Sequence, residues 1–294
     1  MKPETKKIIS KFLNWGGSLL ALLGIFFVIL HLHDYGMSID TSALSKWEWL
    51  SILLLVIVYG VFNIIPTTGW KSILAIFGIQ ISNLNALNIY GTSQLAKYVP
   101  GNIFHFAGRQ ALGMSAGIPA WILVKSTLWE LGILASTGSL LSLLAISYIL
   151  PVNLAVSIFL TATGLFVFNI LLYKICGTHA VRAFLKYTAF ITFTGISFYV
   201  VVMIVNVNAE FNIGDCFSIS GAFIAAWLIG LITPGAPAGV GIREMVLLFI
   251  LKDKIPEQDL IFSVLIGRVV TVGGDVIVFC IAMISKKFIK RELA

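Results

Sequence analysis

The sequence predicts an all-α integral membrane protein with six full transmembrane helices and two re-entrant helical hairpins, arranged as an inverted-topology repeat. Three observations predict it. Hydrophobic side chains make up 59% of the 294 residues and charged ones only 11%, whereas a soluble domain carries about a quarter charged residues. Apolar runs recur almost end to end and leave no polar stretch long enough to fold separately, so the chain reads as one membrane domain. Finally, each half carries the same motif: Pro100-Gly101 with Arg109, and Pro234-Gly235 with Arg243, seven residues intervening in both.

A helix crossing the hydrocarbon needs roughly 20 mostly apolar residues, because lipid offers backbone amides no water to bond. Segments 13–32, 47–65, 121–150, 152–173, 187–206 and 260–284 meet that requirement. Trp15, Trp47, Trp49, Trp70 and Trp121 fall near predicted ends, where an amphipathic ring sits at the headgroup level. The N-terminal lysines, Lys71, the group Lys174, Arg182 and Lys186, and the tail Lys286, Lys287, Lys290 and Arg291 mark the cytoplasmic side. Loops carrying Asp34, Asp40, Glu210 and Asp215 then face outward, and both termini lie in the cytoplasm, as expected for an inner-membrane protein. The net charge of +7 and the pI near 9.3 are explained by this topology, and no nucleic-acid partner is expected. Cys176, Cys216 and Cys280 are far apart and lack CxxC spacing, so three free thiols are expected and no metal site.

Two segments do not fit a simple count of spans. Residues 81–117 are interrupted by Lys97, Pro100, Gly101, His105 and Arg109 and must begin and end on the cytoplasmic side. Residues 217–251 are interrupted around 233–244 and must begin and end outside. The return arm from Arg243 to Leu251 has nine residues, about 14 Å of helix, or half of a bilayer core about 30 Å thick. Residues 1–150 therefore read as a first repeat and 151–294 as a second in the opposite orientation, the architecture of secondary transporters whose broken helices meet near the midplane. The stretch 70–80 has no counterpart in the second half and reads as a helix on the cytoplasmic surface.

The stretches Lys97-Tyr-Val-Pro-Gly-Asn-Ile-Phe-His-Phe-Ala-Gly-Arg109 and Pro234-Gly-Ala-Pro-Ala-Gly-Val-Gly-Ile-Arg-Glu244 resemble the two hallmark segments of the lysylphosphatidylglycerol synthase transmembrane-region family. Flippase-like integral membrane proteins belong to that family. The resemblance covers most of the chain and implies a lipid-translocating fold. It implies lipid handling or flipping, without the lysine transfer that other members perform with a soluble aminoacyl-transferase domain.

A charge at membrane depth is costly unless paired or hydrated, so each is a functional candidate. The basic ones are Lys97, Arg109, Lys125, Arg243 and Arg268, and the acidic ones Glu130, Glu244 and Asp275, an excess of two positive charges that a phosphate balances. Arg109, Arg243 and Arg268 are the expected phosphate ligands, because a guanidinium fork matches phosphate oxygens. Structural ion pairs, such as Arg243 with Glu130 or Arg268 with Glu244, are the alternative, and Glu130 and Glu244 are expected to hold arginines in the empty state. Gly101, Gly108, Gly235, Gly239 and Gly241 cluster at the breaks made by Pro100 and Pro234, where positive φ lets amides approach a ligand and helix N-termini favour an anion. His105, Glu130 and Asp275 are candidates for proton coupling, each with a structural alternative as hydrogen-bonded residue or counter-ion.

There is no nucleophile elbow, HExxH, P-loop or paired-carboxylate spacing, so no catalytic residue, cofactor or metal is expected. The expected activity is transport, not catalysis: translocation of a membrane lipid with an anionic phosphate headgroup in cell-envelope biogenesis. That lipid is a polyprenyl phosphate, a lipid-linked sugar or a phospholipid. The alternatives are a membrane enzyme transferring a group to or from a lipid phosphate, and a non-catalytic partner of envelope glycosyltransferases.

Overall fold

Large apolar side chains are exposed on the outside of this molecule, while a set of ionisable ones is buried within it. Leu53 is 56% exposed and Phe159 67%, whereas Arg109 is 2% exposed and Glu130 and Asp275 1% each. Water would not tolerate so much contiguous apolar surface; a bilayer does. The computed structural model describes residues 44–99, 103–207, 209–233 and 241–292, together with Phe26. These residues are helical apart from short connections, and no strand occurs among them. The expected span at 13–32 lies outside the described residues, Phe26 excepted.

Helix α1 (Lys46–Phe62) begins at a capping box in which Ser45 and Glu48 satisfy each other's backbone amides. It breaks at Asn63, and α2 (Ile65–Ile76) restarts with Pro66 in its first turn, where a missing N–H costs nothing. The surface helix expected over 70–80 is therefore corrected. Trp70, Ile73 and Leu74 are fully buried, and Ile73 packs with Phe184, Tyr187 and Ile191 of a later helix. Trp70 is no interfacial anchor: its Nε1 donates to Ser126 Oγ at 3.2 Å. Trp47 and Trp121, by contrast, are exposed near helix starts.

Helices α3 (Asn83–Gln94, extended by a 3₁₀ turn to Tyr98) and α4 (Phe104–Ser115) form the first hairpin. Ile79 and Ile81, before α3, share an apolar cluster with Met114 and Ile118, so the hairpin's two ends lie together. Helix α5 (Ala120–Ser142) starts at that end and continues through short turns to Ile149. There Tyr148 donates to Asp215 at the start of α7 (Ile213–Ile232), and Lys254, just past α8 (Ile242–Leu251), lies 5.3 Å from the Tyr148 ring. Helices α7 and α8 are thus a second hairpin whose ends lie at the opposite end of α5 from those of the first.

Between them runs α6 (Leu154–Val205), 52 residues long, about 78 Å if it were straight. It is not straight. Gly177, at φ 74° and ψ −170°, breaks it, and the arms fold back so that the Phe168 and Phe184 rings meet edge to face at 5.1 Å. A loop between 173 and 187 had been expected from its charges; the structure keeps helix on both sides and turns at a single glycine, whose conformation other residues adopt only with strain. The last helix, α9 (Glu257–Glu292), packs on α1 through Gly273 and Gly274, where a methyl group would collide with Val56 and Tyr59. Small residues in this role let helices approach closely when lipid gives no hydrophobic drive between them.

Among the described residues, five helical stretches are long and apolar enough to cross a membrane: Lys46–Ile76, Ala120–Ile149, Leu154–Val205, Ile213–Ile232 and Glu257–Lys286. The fourth is α7, the outgoing arm of the second hairpin, expected from the sequence to be re-entrant. Its 20 residues reach spanning length while its return arm α8, with ten, does not.

Candidate functional site

Described residues of both hairpins line a common cavity of about 130 Å³. Tyr90, Lys97, Tyr98, His105 and Arg109 reach it from the first hairpin, Phe223, Trp227 and Arg243 from the second, Glu130 from α5 and Arg268 from α9. Both return helices start here: His105 is in the first turn of α4 and Arg243 in the first turn of α8. Each therefore directs its partial positive end and unpaired amides toward the same space.

Three of the four cations lining the cavity are paired, each with a different carboxylate. Arg109 Nη1 binds Glu130 Oε2, Lys97 Nζ lies 2.6 Å from Asp275 Oδ2, and Arg268 Nη2 2.8 Å from Glu244 Oε1. Arg243 is the fourth. Among the described residues no carboxylate lies within ion-pair distance of it, and its Nε is buried without a hydrogen-bond partner. Of the ion pairs anticipated, Arg268 with Glu244 is present; Glu130, however, holds Arg109 and not Arg243.

The Arg109 pair is built to stay closed. Its Cζ sits 3.9 Å from the Tyr90 ring centroid and within 6 Å of those of Trp70 and Phe106, at 5.6 and 5.7 Å. Tyr90 OH donates at 2.9 Å to the other oxygen of Glu130. Leaving either charge alone here costs roughly 3–5 kcal/mol, and desolvated cation–π contact adds about 2 kcal/mol. Arg243 has no ion pair among the described residues to give up, so an incoming anion meets it without first opening a salt bridge.

The structure places the sequence-derived candidates as follows. His105, Arg109, Glu130, Arg243 and Arg268 line one cavity, and Glu244 adjoins it through Arg268. Gly241 precedes α8 at φ 85°, with open space where a Cβ would stand, so backbone conformation is what requires glycine there. Gly108 lies within helix α4 and has no positive φ. Pro100, Gly101, Pro234, Gly235 and Gly239 lie outside the described residues. Lys125, counted from the sequence with the buried cations, is not in the cavity; its Nζ lies 5.4 Å from the Trp121 ring and 5.7 Å from Phe77. The excess of charge at the site is therefore one, not two.

Sequence reasoning missed the aromatic cage of Trp70 and Tyr90 and the residues around Asp275. Asn63 was the available signal: a lone amide at the end of an otherwise apolar run, three residues before Pro66. The three cysteines are free. Neither protein-family models nor a search of curated proteins gave a match for this chain.

Proposed function

We propose that this protein is a flippase-like transporter that moves a lipid with an anionic phosphate headgroup across the inner membrane in cell-envelope biogenesis. The headgroup is a polyprenyl phosphate, a lipid-linked sugar phosphate or a phospholipid phosphate. One observation carries the reading: Arg243, a cation without a carboxylate partner among the described residues, stands where two return helices begin at a common cavity. A phosphate supplies the missing charge and accepts the guanidinium fork and the helix-terminal amides. The cavity accommodates a headgroup and not a whole lipid, so the tail stays in the hydrocarbon. The resemblance of the two Pro-Gly motif segments to the lysylphosphatidylglycerol synthase transmembrane region supports a lipid substrate.

In this reading the hairpins are re-entrant, the chain has six full spans with both termini in the cytoplasm, and 1–150 and 151–294 are inverted repeats. Hairpins whose ends lie at opposite ends of α5, and whose residues Lys97, His105, Arg109 and Arg243 line one cavity, support it. So does the return arm of the first hairpin, whose twelve residues, about 18 Å of helix, are too few to cross. Access alternates by rocking one repeat against the other about the charged cavity.

Reconstitution in liposomes tests the function. The expected result is transfer of a fluorescent prenyl phosphate between leaflets with no covalent change. A chemically altered lipid would favour the enzyme, and an inert protein the glycosyltransferase partner. Single cysteines at Lys97 and Lys252 should be labelled from opposite sides of the membrane; labelling from one side contradicts the topology.

A further inference from the structure

Asp275 on α9 meets three polar side chains among the described residues. It is 1% exposed, forms an ion pair with Lys97 Nζ at 2.6 Å, and accepts from Tyr98 OH at 2.5 Å and Asn63 Nδ2 at 2.7 Å. Two of these donors are fixed: Tyr98 and Asn63 are 4% and 1% exposed. Lys97 is different. Its side chain is 27% exposed and lines the cavity, so its flexible ammonium can turn from Asp275 to an anion that enters.

A second, independent observation shows what Asp275 is prepared for when Lys97 turns. Asn63 Oδ1 is buried with no hydrogen-bond donor among the described residues, although the nitrogen of the same amide is bonded to Asp275. An ionised carboxylate only accepts, so it leaves that oxygen unsatisfied; a carboxylic acid carries an O–H that donates. A protonated Asp275 can give this proton to Asn63 Oδ1 while its other oxygen still accepts from Asn63 Nδ2. The orphaned acceptor fits the acid form.

The charge balance points the same way. Lys97, Arg109, Arg243 and Arg268 face Glu130, Glu244 and Asp275, which leaves one positive charge. A monoanion neutralises it. A phosphomonoester, with a charge of about −1.5 to −2 at neutral pH, overshoots by about one, and a single proton restores neutrality in a medium where net charge is costly.

We propose that Asp275 is a proton-binding site coupled to the headgroup: a doubly charged phosphate draws Lys97 away, and Asp275 takes up one proton as it loses that partner. The inference rests on the reading of the cavity as a phosphate-headgroup site. In the step no covalent bond other than O–H changes. One proton passes from solvent to Asp275 Oδ2, Lys97 keeps all its protons, and its ion pair is exchanged for one with a phosphate oxygen. The other ionisable groups facing Asp275 are Tyr59 from α1, Tyr98 and Lys97 from the first hairpin, Arg268 from α9 itself and Arg243 from α8, with His105 across the cavity. The elements packed beside them contribute the neutral Gln94 and Thr194.

The test is calorimetry of the purified full chain in detergent, titrated with a short-chain prenyl monophosphate in buffers of different ionisation enthalpy. At about pH 8 the ligand, with a second pKa of about 6, is already a dianion, so any uptake belongs to the protein. The expected result is uptake of about one proton per ligand bound by the wild type and none by Asp275→Asn, which keeps the shape and the Tyr98 contact. A second variant, Lys97→Met, leaves Asp275 without its ammonium from the start, and its uptake should vanish too. A phosphodiester of the same chain should bind with no uptake. Wild-type binding of the monophosphate without proton uptake, or equal uptake by Asp275→Asn, overturns the proposal while leaving the anion site intact. Failure of the wild type to bind either phosphate removes the anion site itself, and the proposal with it.

Discussion

The two hairpins carry the same Pro-Gly motif and the same arginine, yet the arginines have opposite surroundings. Arg109 is bound to Glu130, enclosed by Trp70, Tyr90 and Phe106, and 2% exposed. Arg243 has a buried Nε with no partner and no carboxylate in reach among the described residues. The same place in the motif therefore does not fix the surroundings of the arginine. A cation that is already satisfied holds the architecture together, and the one left unsatisfied is free for a ligand. The reason is energetic: a buried pair is hard to open, whereas an unpaired guanidinium gains from any anion that displaces water around it.

Breaking the pair at Arg109 should have the largest effect on stability. Arg109→Ala strands Glu130 and is expected to cost about 3–5 kcal/mol, read as a large fall of the thermal unfolding midpoint in detergent. Removing both charges, Arg109→Ala with Glu130→Ala, should cost less than the sum of the single changes; strict additivity would mean that the pair is not coupled. Tyr90→Phe keeps the ring over Arg109 and loses only the bond to Glu130, an expected cost of about 1.5–3 kcal/mol in the same assay. In the second hairpin, Gly241→Ala forces a side chain into φ 85° and should cost about 1–2 kcal/mol by the same measurement. Arg243→Ala should change stability by less than about 1 kcal/mol, because it breaks no ion pair among the described residues. An equally large loss at both arginines would erase the contrast between the hairpins.

Much of this site was legible in the sequence because charge in an apolar chain is conspicuous. His105, Arg109, Glu130, Arg243 and Arg268 could be named without coordinates, and they line one cavity. Which charge meets which was not legible, since the partnership of Arg109 with Glu130 depends on how α4 lies against α5. Lys125 shows the same limit. It shares α5 with Glu130, five residues away, but at 3.6 residues per turn that spacing rotates a side chain by about 140°, so one enters the cavity and the other reaches the Trp121 and Phe77 rings. Trp70 misled through its residue type. Tryptophan favours interfaces because its N–H needs a partner, and here Ser126 provides one inside the bundle. The turn at Gly177 was hidden because Lys174, Arg182 and Lys186 imitate a loop, when charged side chains at helix ends can extend past apolar surface instead. The α7 helix, long enough to span yet paired with a short return arm, could not have been assigned from its composition alone.

The most direct measurement is leaflet transfer of a labelled prenyl phosphate by Arg243→Ala in liposomes, with the unfolding midpoint recorded for the same preparation. The account predicts an unchanged midpoint and a transfer rate reduced by at least about tenfold, the equivalent of roughly 1.4 kcal/mol, with partial recovery in Arg243→Lys. Transfer at the wild-type rate by a folded Arg243→Ala protein would contradict it.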